Sequence, residues 1–271
     1  MILRSLLVFW LIAYSVRYRT RPWNFFQLNS EYFNGEKRIF SKLEIDQYIP
    51  ARWRLRQIVD DGEIVPEFPV FVKPEWGQNS NGVSLAEDLA ELNTNRRTRR
   101  MAGSVTYLLQ EAAKERREFE IFYIRDSEYP EDTSLLSVTE TVNCSGATLP
   151  INGINNRDSH YQDRTEQLNR DELQSLWAMI KTIGFFRIAR VGVRADSIEE
   201  LLAGNFHIIE INIFLPMPLV LLDSGVEWTR KHMFIRKSMK AAARLAGNGF
   251  RPKRRYPIFF YQLVAHYRVR Q

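Results

Sequence analysis

The 271 residues are 45% hydrophobic, 26% charged and 13% aromatic, which excludes a disordered, collagenous or disulfide-rich chain and suffices for one compact unit or two lobes sharing a cleft. Cys144 is the single cysteine, so an internal disulfide framework and a cysteine-built metal cluster are excluded, and a cytoplasmic location is the expectation. The net charge of +6 is uneven: residues 228–271 carry twelve Lys/Arg and no acid, which leaves −6 on residues 1–227 and assigns the basicity to the tail.

Residues 5–16 form a mostly apolar stretch between Arg4 and the group Arg17, Arg19 and Arg21. It falls short of the roughly 20 residues a bilayer crossing needs, and it lacks the small-residue cleavage site of a signal peptide. Two readings remain, a helix buried in the fold or one lying in a membrane interface. Apolar positions at helical spacing predict a helix over 37–50, stopped by Pro50. Phe68 to Lys73 reads as a strand, ended by Pro74 and followed by a polar loop over 75–83. Ser84 and Glu87 have the spacing of a capping box, so the loop is expected to feed a helix over 84–92. Beyond the basic cluster Arg96, Arg97, Arg99 and Arg100, strands are expected over 106–110, 119–124 and 134–142. Residues 143–165 read as polar turns, of which 150–165 is either a lid or an ordinary mobile loop. An amphipathic helix over 171–183 closes at Gly184. Strands over 186–194 and 206–212 then make an antiparallel hairpin around a turn region at 196–205. This is an α+β order, not a regular βαβ alternation.

A loop between a strand and a helix holds phosphates when small residues let backbone N–H groups approach. Here Gly77 and Gly82 offer that, and Lys73 would add an ammonium beside the same phosphates; the plain alternatives are a surface turn and a strand-edge lysine. Glu118 and Glu120, two apart on one strand, share a face and would suit the two hydroxyls of a ribose. Glu210 and Asn212, two apart in an apolar strand, offer oxygen ligands to Mg²⁺. The four histidines, His160, His207, His232 and His266, show neither triad nor zinc spacing.

In that order, Phe-Pro-Val-Phe-Val-Lys73-Pro with Gly77 and Gly82-Val83, then Gln110-Glu111, Glu118-Phe119, Arg190-Val191 and Glu210-Ile-Asn212 resemble the ATP-grasp superfamily, nearest its D-alanine–D-alanine ligase-like or carboxylate–amine ligase branch. The resemblance covers roughly residues 35–225, with lobes at about 35–110 and 111–225. It leaves residues 1–34 as an apolar, aromatic and basic N-terminal segment and 226–271 as a basic, aromatic tail. It implies ATP and Mg²⁺ bound between two α+β lobes, and γ-phosphoryl transfer to a carboxylate whose acyl phosphate an amine attacks. By the same resemblance, Lys37 and Lys73 contact phosphates with Gly77 and Gly82 in the loop. Gln110 and Glu111 form the adenine hinge, Glu118 holds the ribose, Arg190 stabilises the transferring phosphoryl group, and Glu210 and Asn212 hold Mg²⁺.

Two departures stand out. The usual Arg-apolar-Asp strand reads Arg190-Val191-Gly192 here, and Asp196 lies about 13 Å further along a strand. The separate N-terminal substrate domain common in the family is replaced by some forty apolar, aromatic and basic residues. A second reading is therefore a catalytically weak ATP-binding protein of the same fold, working at a membrane face. The acid-free tail, with Arg251-Pro-Lys-Arg-Arg255 and the aromatics Tyr256, Phe259, Phe260, Tyr261 and Tyr267, suits an anionic lipid surface better than nucleic acid.

Overall fold

The computed structural model of the protein describes residues 2–77, 80–102, 105–247, 252 and 256–270. Of the basic run read at 251–255, all but Pro252 lies outside the described residues, as do two residues of the 75–83 loop.

Helix α1 (Ile2–Arg17) opens the chain. It packs along α6 (Trp228–Leu245), burying Leu11 in a cluster with Phe122, Met239 and Ala242. Ile2, Val8, Phe9, Ile12 and Val16 stay exposed, so the helix is docked by one face and unpartnered on the other. No described helix is long and apolar enough to cross a membrane.

The helix expected over 37–50 is shorter: α2 covers Lys42–Asp46. Ser41 caps it, its hydroxyl accepting from the Glu44 N–H, and the stretch before it is pinned elsewhere. Asn34 bridges to Ile39, the Lys42 N–H donates to the Glu75 carbonyl at 3.0 Å, and buried Glu75 accepts from Lys37 Nζ at 2.6 Å and from the Ser41 hydroxyl.

Strands β1 (Gln57–Val59), β2 (Val70–Pro74), β3 (Ser84–Ala86) and β4 (Tyr107–Glu111) form an antiparallel sheet in the order β1-β4-β2-β3. Ser84 is therefore not a helix cap. It pairs with Val72 in a hairpin whose loop carries Gly82 at φ +74°, a conformation that favours glycine. Helix α3 (Leu89–Ala102) starts after that strand. The Asp88 carboxylate accepts from the Glu91 N–H and the Glu91 carboxylate from the Glu87 N–H, so side-chain caps hold the helix start four residues further along the chain than expected. The helix is fastened to the sheet by Leu92, packed on Val70, Val72, Ala86 and Leu109, and by Arg96 and Arg99, both paired with the shielded Asp60 carboxylate at 2.6 and 2.7 Å.

Five longer strands make the second sheet, β5 (Arg117–Arg125), β6 (Thr133–Asn143), β7 (Ser159–Asp163), β8 (Ile188–Ala195) and β9 (His207–Asn212), antiparallel in the order β7-β6-β5-β8-β9. Strand β7 lies within the stretch read as turns, and α5 (Ile198–Ala203) lies within the connection read as a turn between β8 and β9. Period-two alternation splits this sheet cleanly. Phe119, Ile121, Tyr123, Val191 and Val193 face α4 (Arg170–Ile180) and α5, forming the main core with Leu176, Trp177, Ile180 and Leu201. On the opposite face the register sets Glu118 against Arg194, Glu120 against Gly192, Phe122 against Arg190 and Ile124 against Ile188. That face thus runs from charged to apolar along the strands. Helix α7 (Ile258–Arg270) returns over the aromatic cluster of Phe26, Phe33 and Phe214.

Candidate functional site

The two sheets enclose a cleft. The first contributes Phe71 and Lys73 of β2, Gln110 and Glu111 of β4, and Ser80 and Val83 of the hairpin loop; the second contributes Glu118, Glu120, Arg190, Arg194 and Glu210; α2 adds Lys42. Two ammonium groups therefore face two guanidinium groups and three carboxylates across one gap.

Lys73 is buried at 6% exposure, and its ammonium donates a 3.3 Å hydrogen bond to the Ile209 carbonyl. Desolvation, helped by the neighbouring Lys42 charge, brings its ammonium down to about 7. Lys42 pairs with Glu210 at 3.3 Å. Desolvation alone would raise Glu210, but Lys42, Arg190 and Lys73 outweigh it and hold the carboxyl below its ordinary value. Desolvation does win at Glu120, pushed up to about 7, and it raises Glu118 as well, where Arg194 at 3.6 Å opposes it. A cleft holding one partly discharged acid and a partly discharged lysine suits an incoming polyanion and cation that would recharge them.

Most sequence-selected residues come together here: Lys73, Gln110, Glu111, Glu118, Arg190 and Glu210 all line the cleft, and Asn212 Nδ2 donates to Glu210 Oε2 at 2.9 Å beside it. Gly77 is buried at the root of the hairpin loop and Gly82 sits exposed in its turn. Lys37 is placed differently. Its ammonium pairs with Glu75, 45% of its side chain is exposed, and it does not line the cleft. Lys42, five residues on, points in instead, and the Ser41–Glu44 cap was the sequence signal that would have set the helix start there.

Gly192 leaves a gap that its neighbours fill. Glu120 and Glu210 sit directly across from it on either side, and a Cβ at residue 192 would lie 3.3 Å from Glu120 Oε1. Arg190 Nε lies 3.1 Å from Glu120 Oε2 as an ion pair, yet that oxygen is buried and accepts no hydrogen bond. Among the described residues no cluster of three His, Cys, Asp or Glu forms a closed metal cage. Glu120, Glu210 and Asn212 supply side-chain oxygens of the kind that suit a hard cation keeping water and ligand oxygens in its shell.

The segment 150–154 lies over this cleft. Asn152 Nδ2 donates to Glu118 Oε2 at 2.9 Å, Arg194 Nη2 donates to the Pro150 carbonyl at 3.1 Å, and the Ser80 hydroxyl donates to the Asn152 carbonyl. The space left is about 110 Å³, below the roughly 300 Å³ at which small-molecule sites begin.

No protein-family model matches the chain, and no curated protein matches its sequence. Among solved structures it is similar to the VanG D-Ala:D-Ser ligase from Enterococcus faecalis, with a TM-score of 0.50 and 10% identity over 80% of this chain and 70% of that one. An L-amino acid ligase from Bacillus licheniformis gives a TM-score of 0.47 and 14% identity over 78% of this chain, which spans 50% of that protein's length. The likeness to the first establishes the fold: two antiparallel α+β lobes around a cleft, the ATP-grasp architecture.

Proposed function

We propose that this chain, built on the ATP-grasp fold, is an ATP-dependent ligase that activates a substrate carboxylate as an acyl phosphate for attack by an amine. The observation that carries the reading is the convergence of Lys73 from the first sheet and Lys42 from α2 with Arg190, Arg194 and three carboxylates from the second sheet on a single cleft. Residues 35–225 would supply the nucleotide-binding unit, and the two chain ends the surface around it.

In this reading the adenine lies by Gln110 and Glu111, and Glu118, released from Asn152, takes the ribose. Lys42 and Lys73 neutralise the phosphates under the Gly77–Gly82 hairpin loop. Mg²⁺ would be held by Glu210, Asn212 and Glu120, and it supplies charge neutralisation on the phosphate oxygens. A substrate carboxylate oxygen bonds to the γ-phosphorus as the bond from that phosphorus to the β-phosphate oxygen breaks, and ADP leaves. Arg190, at the junction with the acceptor side, stabilises the charge spread over the transferring group. The amine nitrogen then attacks the acyl carbon, inorganic phosphate departs, and the surplus amine proton passes to solvent. No side-chain nucleophile is required, in keeping with His207 and His232 being engaged by Glu115 and Trp10.

The second reading, a catalytically weak nucleotide-binding protein at a membrane surface, draws on Gly192 and on the exposed apolar residues of α1 and α7. Incubation with Mg²⁺, ATP, a carboxylate panel and hydroxylamine separates the two. Hydroxamate in amounts matching ADP supports the ligase; nucleotide binding with no hydroxamate from any acid supports the weak binder.

A further inference from the structure

A second chamber adjoins the cleft, sharing Arg190 and Ile154 with it, and its volume is about 720 Å³. That is within the roughly 300–1,000 Å³ typical of small-molecule sites. Its walls are apolar, among them Leu11 of α1, Phe25, Phe122 of β5, Phe214, Met239 of α6 and Leu263 of α7. Its mouth is apolar as well: Val8, Ile12, Trp23 and Leu263 line it while being 57%, 47%, 59% and 44% exposed. The chamber occupies the end of the sheet where the cleft-facing residues turn from Glu118 and Glu120 to Phe122, and from Arg194 to Ile188. Charge at the lining is one-signed. Arg4 and Arg190 contribute to it, and among the described lining residues there is no Asp or Glu. Such a wall attracts a carboxylate but offers no partner to an α-ammonium.

We propose that this chamber takes a long-chain monocarboxylic acid, with the carboxylate at Arg190 and Asn212 and the aliphatic chain lying between α1, α7 and the 214–218 segment. The assignment deepens the ligase reading above and rests on it for the fate of the carboxylate. It gives the chain ends a purpose: the apolar N-terminal helix and the C-terminal helix wall the acyl chain and leave it an apolar way in.

Calorimetric titration of the full chain with hexanoate, octanoate and dodecanoate below their micellar concentrations tests it, with 3-phenylpropanoate and L-phenylalanine as a pair differing in the ammonium group. Burying each methylene is expected to tighten binding about fourfold until the chamber is filled. Val8→Trp and Leu263→Trp, at the exposed rim, should narrow the chamber and weaken dodecanoate at least tenfold with wild-type melting behaviour, and 3-phenylpropanoate should bind more tightly than L-phenylalanine. Affinity independent of chain length, rim variants that bind dodecanoate as the wild type does, or a preference for L-phenylalanine would overturn the assignment. The same acids in the hydroxylamine assay keep the two claims apart. Chain-length-dependent binding with no ADP release sinks the ligase reading and keeps the chamber, whereas ADP release from short polar acids without dodecanoate binding sinks the chamber assignment and keeps the ligase.

Discussion

Lys73 gives the cleft a proton signature. Its ammonium, desolvated and beside Lys42, titrates near 7, so at pH 7 about half the molecules carry it neutral. Phosphate oxygens arriving beside it favour the charged form and lift that value well above the working pH. Nucleotide binding should then draw in about 0.5 proton at pH 7 and about 0.9 at pH 8, and affinity should fall about fivefold between them. Calorimetry in two buffers of different ionisation enthalpy, with EDTA present so that no cation recharges Glu120, reads the uptake directly. Lys73→Met should abolish it and, since a lysine with a depressed value costs stability most below pH 7 and progressively less as pH rises towards 10.5, should raise the melting temperature most at acid pH. Buffer-independent heats in the wild type, or an unchanged uptake in Lys73→Met, would refute the placement of the nucleotide phosphates at this lysine.

Asn152→Ala removes a hydrogen bond to the Glu118 carboxylate; such bonds are worth about 1.5–3 kcal/mol, and the variant should bind ATP about ten- to a hundredfold more tightly by titration. Introducing an acid with Gly192→Asp sets a Cβ 3.3 Å from Glu120 Oε1 and a further carboxylate beside Glu120 and Glu210, and should cost about 1–3 kcal/mol by chemical denaturation, a loss that a second substitution, Glu120→Thr, recovers. Glu120→Gln alone should stabilise the free protein at pH 8 and not at pH 4: the raised carboxyl titrates at about 7 instead of 4.5, so its charged form becomes a growing burden across that interval. Asp60→Ala strands Arg96 and Arg99 at a carboxylate whose side chain is 3% exposed, and removing one side of a buried pair costs about 3–5 kcal/mol.

The charged face of the second sheet was legible in the sequence because strand periodicity alone puts Glu118 with Glu120, and Glu210 with Asn212, on one side. The ATP-grasp architecture followed from the order of those residues after the Lys73 strand. What failed were decisions that local spacing leaves tied. Ser84 and Glu87 satisfy a capping pattern, but three ladder positions against β2 outweigh it. The apolar period from 37 to 50 hid the real start at Ser41, and so exchanged Lys37 for Lys42 as the inward cation. The position of Glu120 opposite Gly192 could not be read at all, since it depends on β5 pairing with β8, between residues seventy-two positions apart. The chamber likewise brings together α1, α6 and α7 from the two ends of the chain.

The most direct test of a nucleotide site between the lobes is the melting temperature of the wild type and of Lys42→Ala with saturating Mg²⁺-ATP. At a hundredfold excess over Kd, binding stabilises by about 2.7 kcal/mol, or roughly 5–10 °C for a chain of this size. The account predicts that shift in the wild type and its loss in the variant; a folded wild type whose melting ATP leaves unmoved would contradict it.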